Sequence, residues 1–315
     1  MSSAPIDLSF EVFPASSEVG QANLKKTVQK LAACVPRFVS VTQGADGSSQ
    51  DQTLGTLDSL RIDNPNLGLA GHLTSRTGSK GETLAVAEDY EAAGSRWLVA
   101  LRGDSADGVG QPFQPHPHGF QSTPEFIAAL KERTKMRIAV AGYPEKHPDS
   151  PDQMRDIAHL KRKVDAGADA VITQFFFDND DFYRFIDQCR AAGIDCPIIP
   201  GIMPINNFKA VAQFSERCGA KIPTRIADRF AKADKRGASY ELALAICAGQ
   251  CDQLRDQGVS AFHFFTLNRA DLTFGVCQAL GMDPKNPIDG NRVPLDKASV
   301  QHCLLYTSPS PRDRG

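Results

Sequence analysis

Residues 137–177 read RIAVAGYPEKHPDSPDQMRDIAHLKRKVDAGADAVITQFFF. The stretch opens on one short apolar run, RIAVAGYP, and closes on another, AVITQFFF. Both runs are nearly continuous rather than alternating, which suits parallel strands covered on both faces. Between them SPDQMRDIAHLKRKVDAGA has helical spacing and ends at Gly167, a residue that stops helices. The pattern recurs along the chain. Further strands are read at 8–14 (LSFEVFP), 37–43 (RFVSVTQ), 67–74 (LGLAGHLT), 96–103 (RWLVALRG), 197–204 (PIIPGIMP) and 261–268 (AFHFFTLN). Amphipathic stretches such as EVGQANLKKTVQKLAACV, GETLAVAEDYEAAG, STPEFIAALKERTK and DDFYRFIDQCRAAG lie between them. NNFKAVAQFSERCG follows the seventh strand, a helical insertion is predicted over 222–257, and RADLTFGVCQALG is the last helix. Eight strand–helix alternations predict an α/β fold, a single-domain (β/α)8 TIM barrel over residues 1–284. An open doubly wound sheet is the alternative, weakened because no GxGxxG follows the first strand.

Composition narrows the function. The chain has 315 residues, 41% apolar and 23% charged, enough for a sizeable core. A net charge of −2 offers no basic field for nucleic acid or an anionic membrane. The 8 cysteines contain no CxxC, so a zinc ribbon or dithiol redox site is not expected, and no metal is predicted. Cys247 and Cys251, one helical turn apart, read as structural. MSSAPIDLSF lacks the basic and long apolar regions of a secretory signal, and no run reaches membrane-spanning length. The expectation is a reduced, cytoplasmic protein. Residues 285–315 read as an irregular tail, and 301–315 (QHCLLYTSPSPRDRG) resemble translated sequencing-adapter sequence.

Barrel chemistry sits at the C-terminal ends of strands. Those ends carry Glu11, Thr42–Gln43, His72–Thr74, Arg102–Asp104, Tyr143–Glu145, Gln174, Met203–Pro204 and Asn268–Arg269. Nearly every strand delivers a hydrogen-bonding group to one rim, which a purely structural barrel does not need. Glu11, inside the apolar LSFEVFP, reads as a buried carboxylate kept protonated as a proton donor, or else paired with a base such as Arg269. Asp104 in LRGD is a second active-site carboxylate or a loop cap. His72 is a satisfied core histidine or a rim group. The histidines of QPHPHGF lack the carboxylate or cysteine partners of a metal site. Arg162 and Lys163 suit a helix C-terminus, or grip a phosphate where no glycine-rich loop exists. Three successive phenylalanines in QFFFD cannot all face into the barrel, so one or two are core, with Gln174 at the rim.

The ordered set SFEVFP, FVSVTQGA, GHLT, LRGD, YPEKHP, LKRKVDAGADAVITQFFFD, IIPGIMPINNF and FHFFTLNRA resembles the methylenetetrahydrofolate reductase family, in its single-domain bacterial type, from about residue 7 to 282. The resemblance implies a non-covalent FAD that takes hydride from NADH or NADPH and passes it to 5,10-methylenetetrahydrofolate, in two half-reactions of a ping-pong mechanism. It implies Glu11 as the general acid and Asp104 as the aspartate beside the flavin. It places Thr42, His72, Arg102, Gly103, Tyr143, His147, Asp156, His159, Arg162 and Lys163 at flavin contacts. Gln174, Phe214 and Arg269 fall at substrate contacts, together with Glu11. A homo-oligomer in one-carbon metabolism and methionine supply is implied too. The chain departs from the family pattern at Val12, at Gln43 (commonly tyrosine), at His159 (often asparagine) and at Ala210 (often glutamine). The rival readings are a Schiff-base aldolase with Lys163 as nucleophile and a non-catalytic binding barrel.

Overall fold

The computed structural model describes residues 6–43, 50–76, 78–103, 114–234, 237 and 239–282. The elements run β1 (Asp7–Val12), α1 (Glu18–Ala32), β2 (Phe38–Val41), α2 (Gln50–Asp63), β3 (Leu69–Thr74), α3 (Lys80–Ala92), β4 (Trp97–Leu101), α4 (Thr123–Arg133), β5 (Arg137–Gly142), α5 (Gln153–Asp165), β6 (Ala170–Phe175), α6 (Asn179–Ala191), β7 (Ile198–Ile202), α7 (Phe208–Cys218), α8 (Thr224–Asp234), α9 (Ser239–Asp256), β8 (Ala261–Phe265) and α10 (Ala270–Ala279). All strand pairs are parallel, and β1 pairs with both β2 and β8, so the sheet closes into a barrel. The open-sheet alternative is thereby excluded. The insertion read over 222–257 is the pair α8 and α9. Sequence reading passed over α2, whose QDQTLGTLDSLRID is interrupted by Gly55 and buries only Thr53, Leu57 and Leu60. The tail read over 285–315 lies outside the described residues.

Local chemistry sets the helix ends. Ser79 and Glu82 form a reciprocal capping box on α3, and Ser122 caps α4 with Pro124 in its first turn. Asp152 caps α5 and Asn207 caps α7, and α7 stops at Gly219 in the left-handed conformation, φ 76°.

Each strand offers two faces. The outward one (Leu8, Phe10 and Val12 on β1, Leu69 and Leu73 on β3, Phe262 and Phe264 on β8) packs against Val28, Leu31, Leu57, Tyr90 and Phe126 of the helices. Burying one such phenylalanine contributes about 2–3 kcal/mol. The inward face fills the barrel with Phe38, Ala70, Trp97, Val99, Ala139, Ala170, Ile172 and Ile199. Toward the C-terminal mouth this filling gives way to polar groups.

A bulge breaks the regularity. Ile172 pairs with Ile199, but Phe175 pairs with Gly201, so three steps on β6 face two on β7. The extra residue changes which way the phenylalanines point. Phe175 and Phe177 join a rim cluster with Met203, Phe214 and Phe265, while Phe176 turns outward and stacks on Phe182. Thr173 Oγ1 accepts from Gly201 N–H at 2.9 Å across the bulge. A Cβ on Gly201 would lie 2.1 Å from the Thr173 carbonyl oxygen and 2.6 Å from the Phe265 ring. Gly201→Ala should therefore lower the unfolding free energy by about 3 kcal/mol, read from urea denaturation. An unchanged midpoint would show that the bulge does not need the close approach.

Candidate active site

Glu11 stands at the mouth, near the end of β1. Its carboxylate lies between two imidazoles: Oε2 is 3.6 Å from His72 Nε2 and 3.9 Å from His263 Nε2. The Glu11 side chain keeps 21% of its exposure, whereas those of His72 and His263 keep 8% and 1%. The fully buried carboxylate expected from sequence is thus corrected: the backbone is packed, but the carboxylate faces the open mouth. Nor does Glu11 pair with Arg269, which is exposed at the start of α10. His263 shares a 2.8 Å hydrogen bond through Nδ1 with the Ser9 hydroxyl. Burial holds His72 down at about 4 despite the pull of Glu11, with His263 adding to the depression. His72 is therefore a neutral imidazole at neutral pH, and its buried Nε2 has no hydrogen-bond partner among the described residues.

The end of β8 fastens Glu11 in place. Thr266 Oγ1 donates to the Glu11 carbonyl at 2.6 Å. Asn268 takes the Phe13 N–H at 2.9 Å and donates to the Phe13 carbonyl at 2.8 Å. Leu267 and Asn268 both adopt positive φ, 50° and 54°, which turns the chain back over β1. Sequence reading placed Asn268 on the rim but missed this clamp, and it missed Ser9 and His263. The alternation along SFEVFP and AFHFF, with Ser9, Glu11 and His263 on the inward parity, was the available signal.

Across the mouth a second cluster is cationic. The Lys163 side chain crosses from α5 to β5 and donates to the Ala141 carbonyl at 2.7 Å, with 8% exposure. Burial pulls its ammonium down to about 8, against the attraction of Asp156. Arg102 follows β4 and donates to Asp149 at 2.6 Å; Gly103 beside it has φ 85°. Tyr143 and His147 meet edge to face, ring centroids 4.6 Å apart. Asp156 accepts from the His147 backbone N–H at 3.1 Å, and burial raises its carboxyl. Arg162 reaches His159 at 3.1 Å. Burial and then the charge of Arg102 hold His147 low, and burial with the nearby cations brings His159 to about 4. This donor set, cationic and N–H rich with few carboxylates, has the chemistry of a diphosphate site and fits a dinucleotide cofactor. No group of three or more potential ligands that could hold a metal occurs among the described residues.

Thr42 follows β2, between β1 and β3 and so between the strands of Glu11 and His72, its N–H on the Val12 carbonyl and its carbonyl accepting from Thr53. Gln43 replaces the expected tyrosine with a buried amide whose oxygen accepts the Thr74 N–H at 2.8 Å. Gln174 is half-buried at the rim, as read. Phe214 stacks on Phe175 with centroids 5.6 Å apart, and the Arg217 guanidinium lies 5.7 Å from the Phe214 ring centroid. Asp104 lies outside the described residues. The fold thus brings Glu11 and His72 together on one side and Arg102, Tyr143, His147, Asp156, His159, Arg162 and Lys163 on another, with Gln174 and Phe214 at the rim cluster.

These features define a barrel enzyme with the Glu11 carboxylate on one side of its mouth and a cationic cradle on another. Residues 2–281 match the family model of methylenetetrahydrofolate reductase, and the chain belongs to that family. It is 39% identical over 280 residues to the 5,10-methylenetetrahydrofolate reductase of Escherichia coli K12, covering 89% of this chain and 92% of the relative. It is 33% identical to a maize protein named methylenetetrahydrofolate reductase (NADH) 1, covering 87% of this chain and 48% of that longer protein. Among solved structures, a Clostridium thermocellum protein described as binding two copies of 5-methyl-5,6,7,8-tetrahydrofolic acid superposes with TM-score 0.56 at 11% identity, covering 88% of this chain and 95% of that one. That likeness is one of fold. The chain is accordingly an oxidoreductase of folate one-carbon metabolism, and the aldolase and binding-barrel readings fall away. No helix among the described residues is long and apolar enough to cross a membrane.

The buried His72 makes stability depend on pH. Unfolded, it binds a proton near 6.5; folded, near 4. Between these values the unfolded state holds more protons, so this contribution is complete above 6.5 and lost as pH falls toward 4. From pH ~7.5 to ~5 the wild type should lose about 2 kcal/mol more than His72→Gln. Urea denaturation at both pH values reads it; parallel losses in the two proteins would refute it.

Proposed function

We propose that the chain reduces 5,10-methylenetetrahydrofolate to 5-methyltetrahydrofolate with NAD(P)H, on a non-covalently held FAD, in a ping-pong sequence. The observation that carries this reading is the pairing of one acid, Glu11, with a cationic cradle at the same barrel mouth. When bound, FAD supplies the hydride relay from nicotinamide to folate. Lys163, Arg162 and Arg102 hold its phosphates, and Thr42, His72, Gly103, Tyr143, His147, Asp156 and His159 line its binding surface. Glu11 donates a proton to the imidazolidine ring of the folate, opening it to the iminium that accepts hydride. His72 and His263 flank the carboxylate, and Ser9 sets the His263 ring. Asp104 acts beside the flavin. Gln174 hydrogen-bonds the folate, Phe214 stacks on it, and Arg269 contributes from the substrate side. NADH is the donor to test first, since the maize relative carries it in its name. Residues 1–284 form the catalytic domain in this reading, and the protein works as a cytoplasmic homo-oligomer.

Mixing the protein anaerobically with NADH should bleach a flavin spectrum, and methylenetetrahydrofolate should restore it. Glu11→Gln should cut the folate step by about 100-fold or more while sparing NADH oxidation by an artificial acceptor. Near-normal folate turnover in that variant would remove Glu11 from the role of acid. Absence of any flavin spectrum after adding FAD would remove the FAD reading.

A further inference from the structure

His159 sits on α5, three residues before Arg162, and Arg162 Nη2 lies 3.1 Å from its Nδ1. A guanidinium has only donors, so this contact requires a lone pair on Nδ1 and a neutral imidazole with its proton on Nε2. The surroundings enforce the same state. Besides burial, the charges acting on His159 are Lys163 and Arg162 of α5, Arg102 at the end of β4 and His147 from the loop after β5, all lowering it to about 4. α4 and α6 flank α5 and add no charge that acts on it. The carboxylates of the cluster have other partners: Asp149 takes Arg102, and Asp156 takes the His147 N–H.

We propose that His159 is a proton-linked positioning residue, which holds Arg162 as a neutral acceptor in the unliganded protein and takes up a proton when a diphosphate draws the guanidinium away. The inference rests on the FAD reading above. A phosphate oxygen is a stronger, charge-assisted partner for Arg162 than a neutral imidazole. Once Arg162 turns to it, Nδ1 loses its donor while anionic charge arrives in the cluster. Both changes favour the imidazolium, whose proton comes from solvent. An asparagine, the residue often found at this position in the family, cannot do this. The consequence is an FAD affinity that rises as pH falls, by about tenfold per pH unit above the free value near 4 and below the bound one. Lys163 titrates separately, near 8, and is already charged where His159 responds.

The test titrates the apoprotein with FAD by calorimetry at pH ~6.5, in two buffers of different ionisation enthalpy, which counts protons taken up. The wild type should take up protons on binding FAD, up to about one per FAD, and His159→Asn should lose most of that uptake and show a flatter dependence of Kd on pH. Equal uptake in the two proteins, or none in the wild type, overturns the proposal. If His159→Asn does not fold, the His159 imidazole resonances of the wild type are followed by NMR instead: a midpoint that FAD moves upward supports the proposal, and an unmoved one overturns it. FAD binding without proton uptake removes this inference alone, whereas failure of FAD to bind at any pH removes the cofactor reading and this inference with it.

Discussion

The seam between β1 and β8 is the constraint on which the rest of the molecule depends. These two strands come from opposite ends of the described chain, and their pairing turns an open sheet into a barrel. The same pairing puts Glu11 at the mouth. Thr266 on the Glu11 carbonyl and the two-way clamp of Asn268 on Phe13 continue the seam past the last ladder bond. The carboxylate is therefore held through its backbone, by hydrogen bonds that do not involve its oxygens. This leaves those oxygens free to face the mouth while the strand remains rigid, the arrangement that positioned acids need.

Two electrostatic regimes share the mouth. Around Glu11 the neighbours are imidazoles, and His72 is kept neutral because desolvation outweighs the attraction of the carboxylate. A charged His72 would form an ion pair with Glu11; a neutral one does not. Across the mouth, Lys163, Arg102 and Arg162 gather positive charge, which Asp149 and Asp156 partly offset. The carboxylate with its imidazoles and the cationic cluster are thus separated by position on the barrel, β1, β3 and β8 against β4, β5 and α5. Lys163 is the member that ties this division to the fold, since its ammonium is buried against a β5 carbonyl and cannot leave without exposing an unpaired acceptor.

Much of this was legible in the chain. Strand runs of continuous apolar character, a helix closed by Gly167, and the absence of a dinucleotide glycine motif led to a closed parallel barrel, because local patterning fixes which faces must be covered. The ends of those strands then named the rim, and most of its polar residues lie where that rule places them. The helix α2 escaped because Gly55 and a polar sequence blur its period. The exposure of the Glu11 carboxylate escaped because an apolar run reports how a strand is covered, while the openness of the mouth depends on all eight strand ends at once. The bulge in β6 escaped because a one-residue slip leaves no mark in composition, though it decides which of Phe175, Phe176 and Phe177 turns to the rim.

By itself the sequence determined the architecture, the rim on which the chemistry lies, and the family, since each follows from periodicity and from motifs carried in order along the chain. Only the tertiary structure decided the partners. That His263 and His72 flank Glu11, that Asn268 clamps β1, and that His159 faces Arg102 and Lys163 as well as Arg162 are facts about residues up to 255 positions apart. Barrel closure brings them within a few ångströms, and at that range burial and charge, which no stretch of sequence contains, set which groups are neutral and which are charged.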